Sequence, residues 1–297
     1  MKITERNLQE IGKSLLVSLP KEWTRLMKLK KGSQIKIRMS EDNTLIISPE
    51  FTKKQEKKEG FFDYDSNFFR NFVREYFLGS QKISISINQI SEAELSNLHN
   101  TLKKFMNVQI IEEDDKKIVV KCFNIEELSI EDCLRRMYFI SHDITNEIMG
   151  KNNKTTIKEL ESSLTKFYFM LVMQIRRFLE EGKFAQDNQI SLLRALDFRM
   201  VGEKIKRIAD ISKDISSRDK EVLYIFKEIS QLYEKAFNSF IANDYKKSLE
   251  ISTEKELALL SRLENQSKKK KDVVLLENVI NLERFLSYSR EIAQLTR

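Results

Sequence analysis

The sequence predicts a mainly helical chain with a small β-rich unit at its N-terminus, and three observations carry that expectation. Charged residues make up 33% of 297 residues while glycines number seven and prolines two, a composition of helix-rich folded chains and not of sandwiches or disordered tails. Both prolines, Pro20 and Pro49, fall in the first fifty residues together with the clearest apolar-polar alternation, in "SLLVSL", "SQIKIRM" and "TLIIS", as strands require. From Ile130 onward no such alternation recurs and apolar residues follow helical spacing. With 41% hydrophobic residues, the chain is long enough for two or three domains with buried cores.

The first unit spans residues 1–50. Between its strands Pro20 opens "PKEWTRLM", a position where proline suits a first helical turn. Gly32 then serves as a turn residue, and "SEDN" reads as a hairpin turn. The charge-dense "TKKQEKKEG", ending at Gly60, reads as a linker over 51–60. Residues 61–124 form a small α/β module. In it "DSNFFRNFVREYFLG" is an amphipathic helix ended by Gly79, and "KISISI" alternates as a strand. "SEAELSNLHNTLKKF" opens with a capping box, Ser91 with Glu94, and "VQIIEEDDKKIVVKC" holds two strands around an acidic turn.

Residues 125–297 make six helices, near 129–150, 154–182, 186–217, 219–243, 245–268 and 271–296, with Gly150 and Gly182 as terminal punctuation. Long helices with short connections favour an antiparallel bundle. The six also divide as three plus three. Sliding the sequence by 77 residues sets "KRIADISKDIS" over "ERFLSYSREIA", pairing Arg207 with Arg284 and Ile215 with Ile292 and placing Asp214 opposite Glu291. Both segments fall on the third helix of a triplet, the pattern of an internal duplication.

Charge and cysteine usage narrow the function. The net charge is +7, and residues 1–50 hold ten basic side chains against six acidic ones, so the first sixth of the chain carries +4 of it. A polyanionic partner is the expectation. Cys122 and Cys133, and His99 and His142, lack metal or redox spacing, which argues against a zinc site or a histidine-based triad. No Gly-rich phosphate loop, nucleophile with a base, or pair of catalytic acids emerges, so catalysis is not expected and no cofactor is required. No apolar run reaches the roughly 20 residues that span a bilayer. Met1 leads into polar "KITERN", so no membrane insertion and a cytoplasmic, reduced protein are expected.

The stretch "RNLQEIGKSLLVSLPKEWTRLMKLKKGSQIKIRMSEDNTLIISP" resembles the AbrB, MazE and SpoVT family of swapped-hairpin DNA-binding domains. A Gly-Lys-Ser turn leads through an alternating strand into a Pro-initiated helix, then "LKKG" and two closing strands. The resemblance implies a homodimer whose interleaved hairpins bind double-stranded DNA. About fifty residues make a poor solitary core, which gives dimerisation a physical motive. Arg6, Lys13 and Arg25 are similar in placement to the family's DNA-contacting residues, with Ser14 and Lys21 close by. Arginine suits bidentate contacts to guanine edges, and lysine neutralises phosphate. Trp23 reads as a packing residue.

Residues 129–297 resemble PhoU, a pair of three-helix bundles associated with phosphate uptake and signalling. "SIEDCLRRMYFISHDITNEIM" and "LTKFYFMLVMQIRRFL" are similar to its first helices, "KRIADISKDIS" and "ERFLSYSREIA" to its signature segments. That signature places oxygen ligands one turn apart and implies a divalent or iron site. Both copies depart from it. Lys206 stands where the first acid belongs, with Asp210 and Asp214 retained; Glu283 and Glu291 remain, with Ser287 in place of the aspartate. Glu203, about a turn before Lys206, is a substitute ligand. Lys206 disfavours a metal and can pair with Asp210 at i+4.

"KFYFMLVMQIRRF" reads as a buried helix, "SKKKKD" (267–272) as the solvated turn before the last helix, and His142 carries no chemistry. Together the resemblances imply a DNA-binding transcriptional regulator linked to phosphate homeostasis, with phosphate-transport or signalling proteins as possible partners. Two alternatives stand beside it. One is a PhoU-like adaptor that controls a transporter by protein contact, and the other is an antidote-like protein that holds a toxin.

Overall fold

The structure is a computed structural model and describes residues 5–39, 44–49, 58–88, 90–123, 125, 128–180, 190–215 and 219–297. The "SEDN" turn, most of the charged linker and Gly182 lie outside these residues. The chain is mainly helical with a small N-terminal β domain. It divides into two compact units, Met1–Glu56 and Lys57–Arg297.

In the first unit β1 (Gln9–Ile11) and β2 (Ser14–Leu16) form an antiparallel hairpin whose register pairs Ile11 with Ser14. The connection is therefore two residues, Gly12 and Lys13. Gly12 has φ +65°, a conformation that costs glycine nothing and that a tight hairpin turn needs at its first central position. Helix α1 (Lys21–Leu26) follows Pro20, and β3 (Ile35–Met39) pairs antiparallel with β4 (Leu45–Pro49). Residues 5–37 of this unit include none that is buried. Leu8, Ile11, Leu15 and Leu26 are 64–74% exposed, so the single chain leaves apolar side chains open on both sides of the hairpin and on α1.

The second unit begins with β5 (Glu59–Asp63), inside the stretch expected to be linker and module entry. Its burial alternates, but the adjacent Phe61 and Phe62 and the lysine-rich residues before them hide that period in the sequence. Helix α2 (Phe68–Phe77) crosses to β6 (Lys82–Ser86), parallel to β5. Helix α3 (Glu92–Leu102) keeps its capping box: Ser91 Oγ accepts from Glu94 N and the Glu94 carboxylate accepts from Ser91 N. Strands β7 (Val108–Glu113) and β8 (Lys117–Cys122) complete a sheet of order β5-β6-β8-β7. Phe72, Tyr76, Leu98 and Leu102 pack with Ile83, Ile85, Ile118 and Val120 in one buried cluster, so α2 and α3 cover the same face of the sheet.

The helical remainder contains α4 (Ile130–Met149), α5 (Lys154–Glu180), α6 (Leu192–Lys213), α7 (Lys220–Ala242), α8 (Tyr245–Leu249), α9 (Glu254–Lys270) and α10 (Val273–Gln294). The fifth expected helix is thus interrupted. Ser248 Oγ donates back to Tyr245 O, and "EIST" breaks the run, because serine, threonine and β-branched residues compete poorly for helix. Of the lysines in "SKKKKD", Lys268, Lys269 and Lys270 belong to the last turn of α9, where cations suit the carbonyl end, and Lys271 caps it at φ 57°. Helices α4, α5 and α6 pack mutually, as do α7, α9 and α10, and the sets meet through α6 with α10 and α4 with α7. First meets first and third meets third, the contacts an approximate two-fold produces.

Two features lock this architecture. Phe105 stacks on Phe169 of α5 at 4.7 Å, and Arg176 Nε donates to Phe77 O at 2.8 Å, so the α/β layer and bundle share a core. At Gly202 on α6 a Cβ would lie 2.4 Å from Leu171 Cδ2; the missing side chain lets α6 approach α5 closely.

Candidate nucleic-acid interface

The hairpin tip and α1 present the cations of the first unit. Lys13 occupies the second turn position and Ser14 begins β2, so the tight turn that Gly12 permits places both at the hairpin's end. Lys21 and Arg25 sit four residues apart on α1 and share a face. Thr24 Oγ1 donates to Lys21 O at 3.1 Å, which steadies that turn. The helix ends with Lys28 at φ 52°, where Leu29 N donates to Thr24 O at 2.8 Å. Ser33 Oγ then accepts from Lys30 N at 2.9 Å and holds the "LKKG" turn. Arg6, three residues before β1, is exposed, as are Lys13, Ser14, Lys21 and Arg25.

These five residues thus fall in two sets, the hairpin tip and the α1 face, with Arg6 on the chain entering the hairpin. Their exposure matches a phosphate-facing role, since a cation already buried in an ion pair has no counterions to release. Lys28 and Lys30, exposed beside the α1 C-terminus, add to the positive surface, and only their position in the turn distinguishes them from ordinary solvated lysines. Trp23 is half-buried on α1.

The carboxylates expected as metal ligands lie in other company. Asp210 accepts from Lys206 Nζ at 2.7 Å and lies 3.3 Å from Lys213 Nζ, which also pairs with Glu161 at 2.6 Å. Glu203 accepts from Arg207 at 2.8 and 3.0 Å, and that guanidinium holds its carboxyl below the ordinary range. Glu291 pairs with Lys204 across the α6–α10 seam and accepts from Ser287 Oγ; the Lys204 contact lowers its pKa. Glu283 is shifted upward by desolvation and by neighbouring Glu264. Asp214 is exposed at the C-terminus of α6.

Among the described residues no group of three or more histidine, cysteine, aspartate or glutamate side chains gathers in a way that could hold a metal ion. Ammonium and guanidinium groups take the oxygens of Glu203, Asp210 and Glu291 that a divalent or iron ion would need, and Glu283 and Asp214 join no such cluster, so the residues present do not fit that group. Sequence spacing places acids on one helix face but cannot show which cations the tertiary fold brings to them. Lys204 and Lys213 draw their acidic partners from α10 and α5, out of reach of local pattern.

A hollow between α4 and α7 is lined by His142, Asn146, Lys227 and Glu234 among others. There the His142 ring nitrogen is 3.1 Å from Asn146 Nδ2. Among the described residues no helix is long and apolar enough to cross a membrane.

Comparison with known proteins bears on the first unit. Residues 8–58 match the family model described as "Antidote-toxin recognition MazE, bacterial antitoxin". The match covers well under half of the chain, includes the whole hairpin and α1, and supports a DNA-binding-regulator or antitoxin-like role for this unit. Neither the curated proteins nor the solved structures compared gave a match.

Proposed function

We propose that the protein is a DNA-binding transcriptional regulator that works as a dimer through its N-terminal unit, with the helical unit as its sensory or relay part. One observation carries the reading. A unit similar to MazE-type domains exposes a two-residue hairpin tip and a helix face bearing Lys13, Lys21 and Arg25, while its apolar strand residues stay open in the single chain. A second chain would cover those strands. The cations would then meet duplex phosphate, with Arg6 and Arg25 suited to base edges.

The phosphate connection rests on the resemblance of residues 129–297 to PhoU. The mutual packing of α4–α6 and of α7, α9 and α10, joined through corresponding helices, supports a duplicated three-helix arrangement. Metal-dependent sensing is not part of the proposal. An antidote-like role is the second reading, favoured by the match of residues 8–58 to a family of antitoxins.

Genome-wide mapping of DNA bound by the protein at high and low phosphate tests the regulator reading. Discrete sites that change with phosphate are expected, together with salt-dependent binding in vitro that disappears in Arg6→Ala/Arg25→Ala. Absence of discrete sites under both conditions overturns it, and a co-purifying toxin-like protein would favour the second reading.

A further inference from the structure

The four-stranded sheet has two unlike faces. One is closed by α2 and α3, with Ile83, Ile85, Ile118 and Val120 at 0% exposure. On the other, strand register arranges three rows across β5, β6 and β8. Glu59 lies beside Lys82 and Lys121, Phe61 beside Ser84 and Val119, and Asp63 beside Ser86 and Lys117. Phe61 is 71% exposed, whereas Val119 is shielded at 1%.

This pattern is antisymmetric in charge about β6. The β5 column reads acid, aromatic, acid, and the β8 column reads lysine, valine, lysine. The column between them carries Lys82, Ser84 and Ser86; the two serines are small enough to let another backbone come near, and across the axis Lys82 meets its own copy between the Glu59 carboxylates of the two chains. A two-fold axis in the plane of the face and parallel to β6 exchanges the outer columns. It therefore sets Glu59 of one chain opposite Lys121 of another, Asp63 opposite Lys117, and Phe61 over the valine row between two lysine stems. Aligned sheets stack about 10 Å apart in this manner, and a closed two-fold interface must be self-complementary.

Competing partners inside the chain are weak. Lys117 pairs with exposed Glu112 at 3.2 Å, and Lys121 Nζ lies 5.0 Å from the Phe123 ring centre. No ion pair among the described residues uses Glu59 or Asp63. Phe61 stands out from its two acidic column neighbours on this face. Opposite a lysine-rich column of the same outline it is a knob with a seat.

We infer that this open sheet face is an interface with a second copy of the chain, packed two-fold along β6 with β5 of each copy over β8 of the other. The inference goes beyond the N-terminal dimer and does not depend on DNA binding. Such an interface would join the two α/β modules of a dimer into a sandwich with the helical bundles outside.

The test places one thiol near the axis, Ser84→Cys in the full chain, treated with a bismaleimide spanning about 10 Å, the distance between stacked sheets. The unsubstituted chain is the blank, and Ser96→Cys, exposed on α3, is the off-face control. A covalent pair is expected for Ser84→Cys alone. Adding Lys121→Glu or Glu59→Lys should reduce its yield several-fold by setting like charges opposite each other, and combining the two exchanges should restore it. Helical circular dichroism checks that each variant folds. No product above the blank, an unchanged yield in Lys121→Glu, or no recovery in the double exchange overturns the inference. DNA binding measured on the same samples separates this result from the regulator reading.

Discussion

Gly202→Ala should destabilise the helical unit, although alanine is the better helix former. Replacing a mid-helix glycine gains about 1 kcal/mol from reduced unfolded-state freedom and better propensity. The new Cβ, however, would stand 2.4 Å from Leu171 Cδ2 and 3.6 Å from Leu134 Cδ1. Carbon atoms prefer about 3.5–4.0 Å, so the tip of Leu171 must move by more than an ångström. Leu171 and Leu134 are both at 0% exposure, so the displaced methyl must move within the packed interior and cannot swing into solvent. Overpacking of this kind costs about 1–3 kcal/mol, leaving a net loss of roughly 1 kcal/mol after the propensity gain.

The sign should reverse when the obstacle is removed. Leu171→Ala alone should cost about 2–5 kcal/mol as a core truncation. In that background Gly202→Ala meets a cavity and retains its propensity gain, so it should stabilise by about 1 kcal/mol. Urea unfolding followed by circular dichroism, compared at equal m-values, measures all four chains. A Gly202→Ala chain more stable than the wild type, or an effect of the same sign in both backgrounds, would refute the close-approach argument.

Three further outcomes follow from the polar contacts. Glu291, whose pKa is depressed by Lys204, contributes stability that is present above the ordinary carboxylate pKa and lost as pH falls through the depressed value. Glu283 is shifted the other way, so its ionisation opposes folding once pH rises above the ordinary value. Hence Glu291→Gln should lower, and Glu283→Gln raise, the midpoint of thermal unfolding at pH 7, with the Glu283 difference vanishing in acid; equal shifts at both pH values would refute this. Arg297→Ala should cost about 1–3 kcal/mol, because Asp197, with its side chain 5% exposed, loses a guanidinium 3.2 Å away. Replacing Asp197 by Ala in the same chain should then add less than it does alone in a urea double-mutant cycle. Cys122 and Cys133 are each pushed up to about 12 by burial, so neither should react with a thiol reagent at pH 8 until the chain is unfolded in urea; titration of thiols with and without urea checks this.

Elements with strong local signatures were legible in the sequence. The capping box at Ser91 and Glu94, the Pro20 helix start, the Gly12 hairpin and the long helices are written in neighbouring residues, because turns and caps are closed by groups two to four positions apart. Where local signals were diluted, the reading drifted. β5 lay beside a lysine-rich run, and the break between α8 and α9 carries neither glycine nor proline.

The sequence by itself determined a mainly helical chain with a basic, strand-rich head, since hydrophobic period and charge content are properties of the residues in order. The i,i+4 partners of Asp210 and Glu203 lie in local spacing, whereas only the tertiary structure decided what Glu291 on α10 and Glu161 on α5 face. Lys204 finds Glu291 across 87 residues and Lys213 finds Glu161 on α5, pairings set by helix packing over distances that no local spacing encodes. The charge pattern on the open sheet face is likewise a product of register, which brings Glu59, Lys82 and Lys121 into one row from three separate strands.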